Sequence, residues 1–444
     1  MRWLLKGGQN MRQRKEVVSS SLPVKASMCI MGTGQLLQKQ WVKGILYLSC
    51  FVAYIVYLAS TGAKDIVGFF TLGTVKGDEW LGIKGDDSIM MLLRGLLAFV
   101  ITALFIGIHK SNINDVRRSD QLIKSSTDLP GFRKACSIFF DRRFYIVALA
   151  LPVAGVLIFN VLPILFMILI AFTNYGGDIV PPELVDWIGF GNFKKILALT
   201  EIKDTFFKIL FWNIMWALIS TLVNYFGGLG LALLLNKKCV KGKAFWRTFP
   251  ILAYAVPGFI TLLGFKFMFS YGGPINYYIT LNGGNAIGFL DIDAGIKAKL
   301  IGIFVNAWIS IPTSMLLATG ILSNMNNDLY DAASIDGASK WKQFTKITLP
   351  FVVFSTTPTL ITSFVNNFNN FGIFYFLRGG LYNEGYFLAS DTDLLINWLY
   401  NLSIDNNYYG IGAAISLIIF IITSTISLLT YVRSNAYKKE DTYR

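Results

Sequence analysis

Residues 411–432 read IGAAISLIIFIITSTISLLTYV. No charged side chain interrupts the run, and its apolar residues surround the helix axis on every side instead of forming one stripe. At 1.5 Å per residue such a helix reaches about 33 Å, enough to cross the hydrocarbon core of roughly 30 Å. A strand of a membrane barrel would alternate apolar and polar residues over about ten positions, and this segment does not. Seven more stretches of the same kind lie at 42–60, 89–109, 145–173, 209–235, 249–271, 300–322 and 349–371. The whole chain of 444 residues is 54% hydrophobic and only 15% charged, where soluble domains carry about a quarter charged residues. The expected fold is therefore an all-α integral membrane protein with eight transmembrane helices.

Charge orients those helices. The N-terminal tail, 110–144, 236–248, 323–348 and the C-terminal tail hold 28 Lys+Arg, and the four opposite loops hold 10. Arg94 and Lys266 fall inside spans near their outer ends, where long side chains snorkel to the interface. Acidic residues divide 10 to 16 the other way, with none in a span. The positive-inside rule places both termini in the cytoplasm. The net charge of +14 follows from this sorting and does not point to nucleic acid. The first 43 residues lack the apolar run of a cleavable signal peptide. Cys29, Cys50, Cys136 and Cys239 all fall in spans or on the cytoplasmic side, so no disulfide is expected.

Three segments follow: a cytoplasmic tail at 1–43, in part disordered; a transmembrane hairpin with a charged linker at 44–144; and a six-helix block at 145–444. The external loops after spans three and seven have room for a small cap or short helices. Pro152, Pro163, Pro257, Pro312 and Pro358 lie inside spans, where each removes a backbone hydrogen bond and is expected to kink its helix. Gly227-Gly228-Leu229-Gly230 reads as a site of close helix packing.

Several chemistries are excluded. The single histidine, His109, is read as a solvated helix-end residue, and His-rich metal sites are impossible. No phosphate loop of the G-x-x-x-x-G-K-[ST] type occurs. Ion-coupled carriers keep carboxylates inside their spans to bind the driving ion; none is present, which disfavours a secondary carrier.

The loop 323–348 contains Asp328-Leu329-Tyr330-Asp331-Ala332-Ala333-Ser334-Ile335-Asp336-Gly337-Ala338-Ser339-Lys340-Trp341, then Phe344, Ile347 and Leu349-Pro350. Its pattern is a short helix capped by Asp328, a turn at Gly337, and an amphipathic helix running into span seven. Ala332 and Ala333 admit a close partner surface, and Gly337 permits a backbone turn that other residues resist. This stretch resembles the E-A-A…D-G-A…I-x-L-P coupling motif of ATP-binding-cassette (ABC) importer permeases, with Asp331 in place of the usual Glu. Residues 250–257 with Phe265-Lys266, 366–371, and Thr392-Asp393-Leu394-Leu395-Ile396-Asn397 are similar to the larger permease subunit of maltose/maltodextrin importers. The external loop Asn174–Lys208 lacks the large insert of the best-known members.

That resemblance implies a permease subunit of an importer in the bacterial cytoplasmic membrane, with the six-helix block as the permease core. A maltodextrin-type saccharide is the first expectation and another sugar or polyol the alternative. It implies no nucleotide site in this chain, ATP and Mg bound by two partner ATPase subunits, a second homologous permease, and an extracellular saccharide-binding protein. Tyr330, Asp331, Ala332, Ala333, Asp336, Gly337 and Ala338 would couple to the ATPase.

The candidate substrate site stands without the resemblance. Ser363, Asn366, Asn367 and Asn370 are spaced i, i+3, i+4, i+7 in span seven, and Asn306, Ser310 and Thr313 share a face of span six. Neutral hydrogen-bonding groups at this density are costly against lipid, so both stripes should face the bundle interior. They suit a neutral, hydroxyl-rich ligand, with Phe368 or Phe371 to stack on a sugar ring; the alternative role is to bond helices together. By resemblance Asn306, Ser363 and Asn370 match polar positions lining the maltose site, whereas Asn366 stands where relatives carry Phe and Thr313 where they carry Tyr.

Overall fold

The computed structural model describes residues 21–433 apart from 78–79, 81, 127–128, 130, 132–136, 138–139, 142–143, 238 and 327. Cys136, residues 1–20 of the expected tail, parts of the linker and the C-terminal tail lie outside the described residues. Among the described residues the regular structure is helical, with one isolated bridge between Thr173 and Trp187. Two units can be separated, Met1–Leu169 with Asp178–Asp186, and Ile170–Gly177 with Trp187–Arg444.

In the first unit, α1 (Leu22–Cys29) and α2 (Thr33–Leu37) precede α3 (Trp41–Thr71), α4 (Ser88–Lys124) and α5 (Phe144–Ile170, of which Leu169 is the last residue in this unit). Leu22–Cys29 and Thr33–Leu37 of the expected tail are thus helical, which composition alone did not suggest. Its anchor is polar: Asn112 of α4 donates to the Gln35 amide oxygen at 2.9 Å, and Lys43 pairs with Asp115 at 3.3 Å. Tyr54 of α3 stacks on Phe105 of α4 at 3.9 Å and donates its hydroxyl to Thr102. His109 departs from expectation: it is half-buried, its ring lies along Phe105, and Nδ1 has no partner among the described residues.

The second unit holds α6 (Thr200–Asn236), the bent pair α7 (Lys243–Ala255) and α8 (Gly258–Met268), α9 (Gly295–Ser323), α10 (Asp328–Ile335), α11 (Leu349–Phe368), α12 (Gly372–Arg378) and α13 (Tyr409–Arg433). Seven helices are long and apolar enough to cross a membrane among the described residues. The eighth expected span is the α7–α8 pair, bent by 89° at Val256-Pro257. Proline explains the break, since it lacks an amide donor and biases the preceding residue to extended backbone; Val256 has ψ 130°. By contrast α9 and α11 continue through Pro312 and Pro358. Their kinks, expected from sequence, do not interrupt either helix.

The core of this unit forms where α6, α9 and α12 meet, around Trp216, Val305, Phe374 and Leu377. Closer to the other end of α6, a second cluster gathers Leu229, Met315 and Val352. Within this second cluster the helices approach so closely that a Cβ on Gly228 would strike Ser314, as the run of glycines foretold. The short loop helices are Gly191–Ala198, Pro274–Leu281 and Leu395–Tyr400.

Candidate functional site

Span seven is not one continuous helix. α11 ends at Phe368 and α12 begins at Gly372. A break releases carbonyls from the helical ladder, and in an apolar setting each must find another donor. Here Trp216 Nε1 donates to the Asn367 carbonyl at 3.0 Å, Asn213 Nδ2 to that of Phe368 at 3.0 Å, and Asn397 Nδ2 to that of Phe371 at 2.8 Å. The Asn213 oxygen accepts in return from the Leu395 amide at 2.8 Å. The stretch 392–397 is therefore a brace for the break, which its sequence did not disclose.

The break also changes the polar stripe. Asn370 lies beyond α11, where its side-chain oxygen accepts from the Ile373 amide in the first turn of α12 at 3.3 Å. Even so, the two stripes meet. Asn306 Nδ2 donates to Asn367 Oδ1 at 3.3 Å, Asn370 Nδ2 donates to Asn306 Oδ1 at 3.5 Å, and Asn367 Nδ2 donates to Thr221 Oγ1 of α6 at 3.0 Å. Two of these contacts are long for amide hydrogen bonds, at the weak end of the range.

Beside this cluster, towards the end of the helices that carries the 323–348 loop, opens a cavity of about 190 Å³. Ser310, Thr313, Ser363 and Asn366 line it, as do Asn367 and, from α6, Thr221, Asn224 and Tyr225. No charged side chain is among its lining residues. Of the seven predicted stripe residues, five open onto the cavity, while Asn306 and Asn370 are engaged with one another. The aromatic expectation needs correction. Phe368 is 1% exposed inside the packing and is not available to stack on a sugar. Phe371 is half-buried and already stacked on Tyr375 at 4.5 Å, with Tyr400 at 5.1 Å.

The predicted helix–turn–helix at 328–344 is present. α10 begins at Asp328, whose own amide donates to Asn326 Oδ1 at 3.0 Å; Asp328 is the first helical residue and not the cap. Gly337 adopts φ +73°, the left-handed region that favours glycine. Ser339 caps the next helix, Lys340–Gln343, by accepting from the Lys342 amide. Gln343 pins the two arms together, donating to Ser334 Oγ at 2.9 Å, and Tyr330 ties α10 to Thr348 at 2.8 Å. Asp331, Ala332, Asp336 and Gly337 are exposed, and Leu329, Ile335 and Trp341 present apolar surface around them.

At the opposite end, Arg378 is 2% exposed and pairs with Asp391 at 2.8 Å. It also donates to Thr392 Oγ1 and to the carbonyls of Leu290, Asp291 and Ile292. Asp393 is buried beside it, accepting from the Ser390 amide and hydroxyl and from Asn401. Burial pushes its carboxyl up to about 6, against the opposing pull of those donors and of Arg378.

Residues 226–435 match the family described as binding-protein-dependent transport system inner membrane component. Over 415 residues the chain is 32% identical to the galactooligosaccharides transport system permease protein GanP of Bacillus subtilis, covering 93% of this chain and 97% of that one. It is 32% identical over 432 residues to the maltodextrin transport system permease protein MalC of Streptococcus pneumoniae, covering 94% and 98%. The maltose/maltodextrin transport system permease protein MalF of Vibrio vulnificus is 35% identical over 268 residues, 58% of this chain and 50% of that one. Among solved structures, a chain of a bacterial ABC transporter importing the acidic polysaccharide alginate shares the fold at TM-score 0.54 and 22% identity, over 66% of this chain and 95% of that one.

Proposed function

Because this chain belongs to the carbohydrate-type ABC importer permeases, among the binding-protein-dependent transport system inner membrane components, we propose that its polar cavity is part of the path of a neutral oligosaccharide into the cytoplasm. The observation that carries this reading is the cavity itself: hydroxyls and amides from α6, α9 and α11 converge on it, and no charge does. Sugar hydroxyls both donate and accept, as these groups do. An acidic polymer such as alginate would call for Arg or Lys. Relatives named for maltodextrins and for galactooligosaccharides both support a neutral saccharide, with maltodextrin the first choice and another sugar or polyol the second.

The cavity is smaller than the roughly 300–1,000 Å³ of complete ligand sites, which supports completion of the path by a second permease. The Asn306–Asn367–Asn370 cluster would close it on the extracellular side in this state. Its long contacts cost little to exchange for saccharide hydroxyls when an extracellular binding protein delivers the substrate. The energy enters through the knob formed by 328–344: Tyr330, Asp331, Ala332, Ala333, Asp336, Gly337 and Ala338 would seat in a cleft of one of two ATPase subunits, which bind ATP and Mg. Movement of the knob reaches the cavity directly, because its second arm continues into α11.

The test is saccharide uptake by the assembled transporter carrying Asn306→Leu or Asn370→Leu, with assembly measured in parallel. Each neutral hydrogen bond lost is worth about 0.5–1.5 kcal/mol, so uptake at limiting saccharide should fall about two- to tenfold. Normal uptake by both variants would mean that the asparagines only hold the helices together.

A further inference from the structure

The third helix of the cavity contains a polar group that no intramolecular bond explains. On α6, Thr221, Asn224 and Tyr225 are spaced i, i+3, i+4 and so share a face, and all three line the cavity. Two of them are engaged: Thr221 accepts from Asn367 at 3.0 Å, and the Tyr225 hydroxyl pairs with Thr356 at 2.8 Å. Asn224 is not. It is 6% exposed, and its Oδ1 has no hydrogen-bond partner among the described residues. An unsatisfied buried amide oxygen costs about 1–3 kcal/mol, whereas leucine is similar in shape, favourable in a membrane helix and free of that cost. A position that only packed would gain by the exchange.

We infer that Asn224 is a saccharide-contacting residue, contributed by α6 and acting with the polar groups of α9 and α11 on the same ligand. The inference rests on the cavity being the saccharide path. Its chemistry is that of a neutral polyol: turning the amide about its last bond exchanges donor and acceptor, and a sugar hydroxyl satisfies either orientation. Thr221 and Tyr225, held by Asn367 and Thr356, fix the α6 face on which Asn224 stands. A ligand hydroxyl reaching Asn224 would bridge α6 to the two helices that already carry the predicted stripes. This position was missed in sequence because α6 buries polar groups along its length, Asn213 and Thr205 among them, so its face carries no isolated stripe.

The experiment uses the complete transporter with maltotriose and galactotriose as probes, and compares Asn224→Leu and Asn224→Ser with the unmodified protein. Asn224→Leu should assemble with a thermal midpoint no lower than the parent, while KM for the better-imported probe rises about two- to tenfold, the value of one neutral hydrogen bond. Asn224→Ser, which keeps a short donor and acceptor, should fall between. An unchanged KM in Asn224→Leu overturns the assignment, as does loss of assembly in both variants, which would make Asn224 a packing residue. If the unmodified transporter imports neither probe, the neutral-oligosaccharide reading itself is wrong and this inference falls with it.

Discussion

At the scale of single residues, Asp393 ties the second unit to pH. Its carboxyl titrates near 6 in the folded chain, above the ordinary 3.8, so between those values the folded state binds more protons than the unfolded one. Stability attributable to this group therefore falls as pH rises from about 4 to about 6 and stays level above that. The shift corresponds to an effect on the order of 1–3 kcal/mol. Hydrogen exchange of the 388–402 amides, corrected for intrinsic rates, should show greater protection at pH 5 than at pH 7.5, and Asp393→Asn should remove most of the difference. Equal protection at both values would mean that the carboxylate is fully compensated by its donors. Residue types were legible where hydrogen-bonding groups repeat with helical spacing: Ser310, Thr313, Ser363 and Asn366 do line one cavity. The roles of Phe368 and Asn370 were not. Asn370 lies beyond the end of α11, where the phase is lost; Phe368 is the last residue of α11, and its burial is set by neighbouring helices that one helix's spacing does not show.

At the scale of elements, the spans were readable because a membrane helix must be apolar over its whole length, and the 328–344 knob because its turn needs a particular residue. The bend at Pro257 was announced by the proline itself; what the sequence did not announce is the break at 369–371. That break depends on distant donors, as with Trp216, Asn213 and Asn397 serving carbonyls 26 or more residues away. The knob supports a prediction about assembly. Gly337 has φ +73° and nothing within 4 Å of where a Cβ would sit, so a side chain there would meet backbone strain and no clash within the chain. Left-handed backbone costs an ordinary residue about 1–2 kcal/mol. Gly337→Leu should leave the spans folded, as judged by the yield of detergent-stable chain, yet reduce recovery of the ATPase subunit by affinity purification several-fold. Asp331→Lys should do the same without strain, by reversing an exposed charge. Undiminished recovery with both would exclude the knob as the coupling contact.

For the whole molecule, the governing quantity is the distribution of charge between the two sides. The split of 28 Lys+Arg against 10 is a statement about insertion: the more basic set of loops is favoured on the cytoplasmic side. By the positive-inside rule it predicts that the 328–344 knob and the Lys-rich loop before α7 face the cytoplasm. The same rule predicts that the Arg378–Asp391–Asp393 hub faces the opposite, extracellular side. The polar cavity then lies between the two, with its asparagine cluster outermost and its open part nearer the knob, the arrangement that a pathway worked from the cytoplasm requires. Single cysteines test this directly in a background with Cys29, Cys50, Cys136 and Cys239 replaced by serine. Exposed positions are the informative ones; Asn192 is 2% exposed, spent on the carbonyls of Ala171 and Thr173, and would report burial instead of side. Glu384→Cys should react with a membrane-impermeant maleimide in intact cells stripped of outer barriers. Ser126→Cys and Lys241→Cys, all three sites being exposed, should react only after the membrane is opened. Reaction of Lys241→Cys in sealed cells would invert the chain, place the knob outside, and remove it from reach of any ATPase.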